Sequence, residues 1–89
     1  MTETNAEVTL YLTLKERYGL LMDILTLFSQ SNLNISKLQS KVLRNGDASM
    51  SITLLDGPHM DEVAQKIKNL DGIISVGVSR GFLSRVVYI

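Results

Sequence analysis

Eighty-nine residues are enough for one domain with one modest core, and at 45% apolar and 20% charged the chain has an ordinary globular composition. Nine basic residues balance nine acidic ones and no basic stripe is visible, so electrostatic attraction to nucleic acid is not expected. The absence of cysteine excludes disulfides, thiolate metal sites and cysteine nucleophiles, and a single histidine, His59, leaves no histidine cluster for a metal.

Residues 1–6 are polar, with the look of a flexible N-terminus and of neither a signal nor a transit peptide. No apolar run is long enough to cross a bilayer, so a cytoplasmic protein without a membrane partner is expected. In "EVTLYLTL" (7–14), Val8, Leu10, Leu12 and Leu14 alternate with Thr9, Tyr11 and Thr13, the pattern of a half-buried strand. Tyr11 then falls on the open face of the sheet.

The period changes at residue 20. In "LLMDILTLFSQS" (20–31), Leu21, Ile24, Leu25 and Phe28 follow the spacing of an amphipathic helix, with Leu20 and Leu27 widening the stripe. "SNLN" (31–34) stops it, with Asn34 a candidate for the left-handed terminating residue. "ISKLQSKVLR" (35–44) is a second strand whose alternation slips. A bulge near Ser36-Lys37 would return Leu38 and Val42 to the face shared with Ile35.

"NGD" (45–47) marks a hairpin, because Asn-Gly suits a type I′ turn. The third strand follows, with Ala48, Met50, Ile52 and Leu54 inward. A second helix spans 60–70, with Met60, Val63, Ala64, Ile67 and Leu70 inward and either His59 or Asp61 as its cap. Gly72 suits the end of that helix. "IISVGVSR" (73–80) is a fourth strand, with Ile74, Val76 and Val78 inward. The tail "GFLSRVVYI" (81–89) is too apolar to stay in water, and Arg85–Ile89 have the content of a strand added to a sheet edge. The competing reading is a linker toward a further domain.

The order β-α-β-β-α-β predicts an α+β, ferredoxin-like domain over 7–80: a four-stranded antiparallel sheet with two helices on one face and a tail at 81–89. Right-handed crossovers place the second and fourth strands at its edges. RNA recognition by this architecture needs aromatics on the central strands, and Ser49, Ser51 and Thr53 stand there instead. A copper chaperone needs paired cysteines. An acyl phosphate hydrolase needs an arginine in a glycine-rich loop; Arg17 near Gly19 has no further glycines around it. No nucleophile–base pair is readable, so the chain is not expected to be an enzyme, and no cofactor is implied.

The stretch "ERYGLLMDILTLFSQSNLNI" (16–35) resembles the signature of the ACT domain family. The matching residues are Glu16, Arg17, Gly19, Leu20, Leu21, Asp23, Ile24, Phe28, Asn34 and Ile35, and "LDGIISVGV" (70–78) is similar to the family's second helix end and last strand. "GLLMDI" is most similar to the C-terminal regulatory domain of bifunctional (p)ppGpp synthetase/hydrolases. The resemblance implies a regulatory domain, free-standing or cut from a larger protein. It implies a small ligand, an amino acid, bound between the subunits of a homodimer, and a signal passed to an attached or partner enzyme.

The ligand-binding residues so implied are Glu16, Arg17, Tyr18, Gly19, Leu20, Leu21, Asn34 and Ile35. The physical chemistry is compatible. Gly19 lets a ligand approach the backbone, and the free N–H groups and dipole of the helix near Leu20 attract a carboxylate. Gly19 is equally explained by a tight strand-to-helix turn, and Glu16 and Arg17 by solvated loop charges. Serine-binding members carry histidine and asparagine where this chain has Leu14 and Glu16. A different ligand, or a dimeriser that binds none, is therefore the alternative.

Overall fold

The computed structural model describes residues 7–15, 19–55, 57–80 and 85–89. The elements are β1 (Glu7–Leu14), α1 (Leu20–Gln30), β2 (Ile35–Val42), β3 (Ala48–Leu55), α2 (Met60–Lys68), β4 (Ile73–Arg80) and β5 (Val86–Tyr88). All five strands form one sheet in the order β2-β3-β1-β4-β5, and every pairing is antiparallel. This is the expected ferredoxin-like α+β arrangement with an added strand. The tail pairs with β4 of its own chain, so β5 and not β4 is the sheet edge.

The core lies between the sheet and the helices. Val8, Leu10, Leu12 and Leu14 of β1 are buried against Met50, Ile52 and Leu54 of β3 and Val76 and Val78 of β4. The helices close it with Leu20, Ile24 and Phe28 from α1 and Met60, Val63, Ala64 and Ile67 from α2. No polar side chain is buried among the described residues, so this core rests on apolar burial alone.

On the outer face, hydroxyl side chains pair across strands. Thr9 and Thr53, opposite each other in the β1–β3 register, share a hydrogen bond of 3.1 Å. The bulge in β2 falls between Ile35 and Lys37, as the slipped alternation predicts, and the Ser36 hydroxyl donates to the Thr53 carbonyl (3.0 Å).

Five local expectations change. First, β4 carries a bulge: Ser75 pairs with Thr13, but Ile73 pairs with Leu14. Ile74 is the extra residue, 50% exposed, and Ile73 packs against the core in its place. Second, α1 is rotated, with Leu20, Ile24, Leu27 and Phe28 facing the sheet, while Leu21 and Met22 are exposed.

Third, the β2–β3 hairpin is not a type I′ turn. The Gly46 N–H donates to the Leu43 carbonyl (3.0 Å), the Leu43 N–H to the Asp47 carbonyl (2.7 Å), and only Gly46 has positive φ (+91°). That is a three-residue loop with a glycine bulge. The Asn45 side chain caps it, its Oδ1 accepting from the Asp47 N–H (3.1 Å).

Fourth, the left-handed residue after α1 is Asn32 (φ +58°), not Asn34. The Leu33 N–H donates to the Phe28 carbonyl (2.9 Å) and the Asn32 N–H to the Ser29 carbonyl (3.1 Å), a Schellman ending. Fifth, α2 ends at Lys68, before Leu70; of its two cap candidates the N-cap is His59, whose side chain makes no capping hydrogen bond.

Coverage of the sheet is uneven for a simple reason. Two helices side by side span about 20 Å. Five strands at their usual spacing span about 24 Å. The edge strands overhang, so Leu38 and Val42 of β2, expected in the core, are exposed, Val42 to 64%. At the other edge Val87 of β5 is 56% exposed.

Candidate functional site

The strand-to-helix junction after β1 is held from two sides. The Lys15 N–H donates to the Gly72 carbonyl (2.7 Å), which ties the end of β1 to the turn between α2 and β4. Gly19 is the N-cap of α1, with φ +85° and ψ −8°, and its carbonyl accepts from the Asp23 N–H at 3.0 Å. A Cβ placed on Gly19 would meet nothing within 4 Å. The glycine is therefore demanded by its left-handed backbone, not by crowding within the chain. Its open side is also the side from which another molecule reaches the backbone.

A glycine N-cap supplies no side-chain acceptor, and none reaches the first turn of α1 from the N-cap. The N–H groups of Leu20, Leu21 and Met22 lie ahead of the first intrahelical acceptors and carry the positive end of the helix dipole. Asp23, also in the first turn, opposes a second negative charge there.

Beside this mouth lies a cavity of about 240 Å³ under the β2 overhang. Its walls are Leu14, Leu20, Leu21, Val42, Ala48 and Met50, with Lys15, Ser40 and Lys41 at the rim. Leu14 is nearly fully buried and presents only an apolar wall. Leu21, 42% exposed, and Val42 give the cavity an apolar lip open to solvent.

Of the residues singled out in the sequence, Gly19, Leu20 and Leu21 come together here. Asn34 and Ile35 do not. Ile35 pairs with Leu54 and Val42 with Ala48, so they mark opposite ends of β2, about 23 Å apart. Asn34 is exposed at that far end and Ile35 packs partly against the core. Within one chain the two groups cannot touch one small ligand. Glu16, Arg17 and Tyr18 lie outside the described residues.

The sequence reading missed Val42, Ala48 and Met50 as cavity walls and Lys41 at the rim. The available signal was β2 itself, whose face toward the helices alternates leucine and valine with Ser40 and is too polar for a core strand. No group of three or more His, Asp or Glu side chains among the described residues is placed to hold a metal. No helix among them is long and apolar enough to cross a membrane.

A family model described as ACT domain matches residues 2–77. This chain belongs to the ACT domain family. Among curated proteins none matches its sequence. Solved structures share the ACT-like fold at low identity. The C-terminal domain of the MgtC protein from Mycobacterium tuberculosis superposes with a TM-score of 0.74 at 10% identity, over 96% of this chain and 97% of that one. The ACT domain from GTP pyrophosphokinase of Chlorobium tepidum gives 0.68 at 14% identity, over 88% of this chain and all of that one (100%). A homoserine dehydrogenase from Thiobacillus denitrificans gives 0.70 at 20% identity, and this ACT domain spans 17% of that chain. At these identities the likeness is one of fold.

Proposed function

We propose that this ACT domain is a regulatory module that binds an amino acid at a homodimer interface and modulates an attached or partner enzyme. The observation that carries this reading is the incomplete cavity at the mouth of α1. It offers free helix N–H groups, an open glycine and an apolar lip, but one wall is missing. A second copy laid along α1 and β2 supplies that wall and covers Leu21, Leu38 and Val42. It also brings the far end of β2, with Asn34 and Ile35, toward the partner's Gly19 mouth if the two strands run antiparallel. The enzyme candidate suggested by "GLLMDI" is a (p)ppGpp synthetase/hydrolase.

The second reading is a dimerisation module that binds no ligand. Asp23 at the helix mouth and Leu14 on the cavity wall favour it, because neither offers a ligand carboxylate a hydrogen bond. A thermal-shift screen across the amino acids separates the two. A ligand of the native state raises the unfolding midpoint, by an amount that corresponds to about 2.7 kcal/mol at one hundred times its Kd. A flat response to every amino acid overturns the first reading and leaves the second.

A further inference from the structure

The outer face of the sheet, away from both helices, carries a groove of about 590 Å³ bordered by Tyr11, Gln39, Ser40, Lys41, Ser49 and Ser51. The register explains its shape. Gln39, Ser51, Tyr11, Gly77 and Tyr88 stand in one row across the five strands, and Lys41, Ser49, Thr13 and Ser75 in the next. Paired residues share a face, and their side chains stand roughly perpendicular to the sheet. To these two rows β3 contributes only serines. The tall Tyr11 on β1 and the long Gln39 and Lys41 on β2 rise on either side of them. The result is a trough along β3, with hydroxyls on its floor and an aromatic ring, 42% exposed, as one wall. Ser40, paired with Met50, belongs to the helix side of the edge strand.

The polar groups of this trough are not used within the chain. Thr9 and Thr53, one row further along, bond to each other, but the side chains of Tyr11, Gln39, Lys41, Ser49 and Ser51 have no hydrogen bond or ion pair among the described residues. Five of the six bordering residues are uncharged. The sixth, Lys41, is an exposed ammonium on the edge strand, where a single charge attracts an anion only weakly. The serine hydroxyls and the glutamine amide each donate and accept.

We propose that this trough is a second ligand site, taking a neutral pyranoside whose C–H face rests on the Tyr11 ring and whose hydroxyls bond to Ser49, Ser51 and Gln39. The face of the aromatic ring is apolar and carries the negative part of its quadrupole, so it attracts the weakly positive C–H groups on the flat side of a sugar. Vicinal sugar hydroxyls donate and accept, as the serine and glutamine groups opposite them do. Base recognition on a sheet of this kind stacks on two or three aromatics, and the residue opposite Tyr11 on β3 is Ser51. The volume lies within the ordinary range for small-molecule sites. An all-equatorial β-glucoside keeps its C–H face unbroken and fits a single aromatic wall.

The test is an NMR titration of the 89-residue chain, following backbone amides, with methyl β-glucopyranoside, sorbitol and adenosine monophosphate as separate probes. Saturating shifts at Tyr11, Ser49 and Ser51 are expected with the glucoside. Sorbitol, which has the hydroxyls but no ring face, and the nucleotide should give at most weak, non-saturating shifts. Ser40 and Lys41 border the cavity at the α1 mouth as well, so the shifts are read on β1 and β3. Tyr11→Thr should weaken the glucoside by about tenfold or more, a loss equal to about 1.4 kcal/mol, and Tyr11→Phe should keep most of the affinity. Ser51→Val, which leaves the ring but fills the floor with methyl groups, should abolish binding. Unchanged amide positions at Phe28 and Ile67 show that the core stays intact in each variant. Equal response to sorbitol, tighter binding of the nucleotide, shifts confined to Gly19–Asp23, no shifts at all, or full binding by Tyr11→Thr each overturn the proposal.

Discussion

Tyr88 lies over Gly77, the residue opposite it in the β4–β5 register, so closely that a Cβ on Gly77 would stand 3.0 Å from Tyr88 Cε1 and 2.5 Å from Val86 Cγ1. The glycine is an imprint of the two side chains that cover it, an aromatic residue shielding a bare stretch of backbone. Gly77→Ala should cost about 1–3 kcal/mol by overpacking. Because β5 is three residues long and β4 is anchored by β1, the strain should displace β5 and not the core. Amide exchange would show this as lost protection at Val86–Tyr88 with β1 and β3 unchanged.

Deleting residues 82–89 should lower the unfolding midpoint by about 10 °C, since pairing, the Val87 contact with Val78 and the seat of Ile89 in the core are all lost. In the shortened chain, Gly77→Ala should become neutral or stabilising, because nothing is left for the methyl to meet. Calorimetry on the four combinations measures that coupling directly. An unchanged midpoint on deletion would support the linker reading instead.

At Gly19 the expected penalty is conformational. Gly19→Ala should destabilise by about 1–2 kcal/mol, and Gly19→Asn by less, because asparagine tolerates the left-handed region. Gly19→Val should be the worst of the three, and it should also abolish amino-acid binding at the α1 mouth. Denaturant melts give the order, and ligand binding by Gly19→Val at wild-type affinity would remove the loop from the site.

The two flanks of α1 should behave differently. Phe28→Ala should cost about 3–5 kcal/mol, as a fully buried ring leaves a cavity. Leu21→Asp and Val42→Asp alter exposed positions and should leave monomer stability within about 0.5 kcal/mol. Their effect should appear in light scattering, as a shift from dimer to monomer. A monomeric wild type at micromolar concentration would refute the dimer before either variant was made.

After α1, Asn32 holds a backbone conformation that glycine adopts more readily. Asn32→Gly should therefore change stability by no more than a few tenths of a kcal/mol, whereas Asn32→Ala should cost about 1 kcal/mol. Urea midpoints compared at constant m-value give the difference.

Strand and helix order was legible because β1 and β3 alternate cleanly and the helices switch period abruptly. The rotation of α1 was not, because Leu20, Leu21, Leu25 and Leu27 allow two overlapping stripes, and only the position of the sheet chooses between them. Ile73 and Ile74 are chemically identical, so no pattern could tell which one the β4 bulge would expel. The site was half legible for the same reason. Gly19 and Leu20 announce a helix mouth locally, but Val42, Ala48 and Met50 join it only through the hairpin. The fit between Gly77 and Tyr88, eleven positions apart, leaves no periodic trace at all.

The fifth strand also sets a limit on growth. A sheet with two long bare edges is a monomer unit for an endless ribbon, since each copy added exposes a fresh template. Here the two ends are unequal: β2 offers eight residues, and β5 offers three. Joining through the long end consumes it in both copies and leaves only the short ends outward. The proposed dimer would then be a finite pair, with the apolar tail acting as its own terminator.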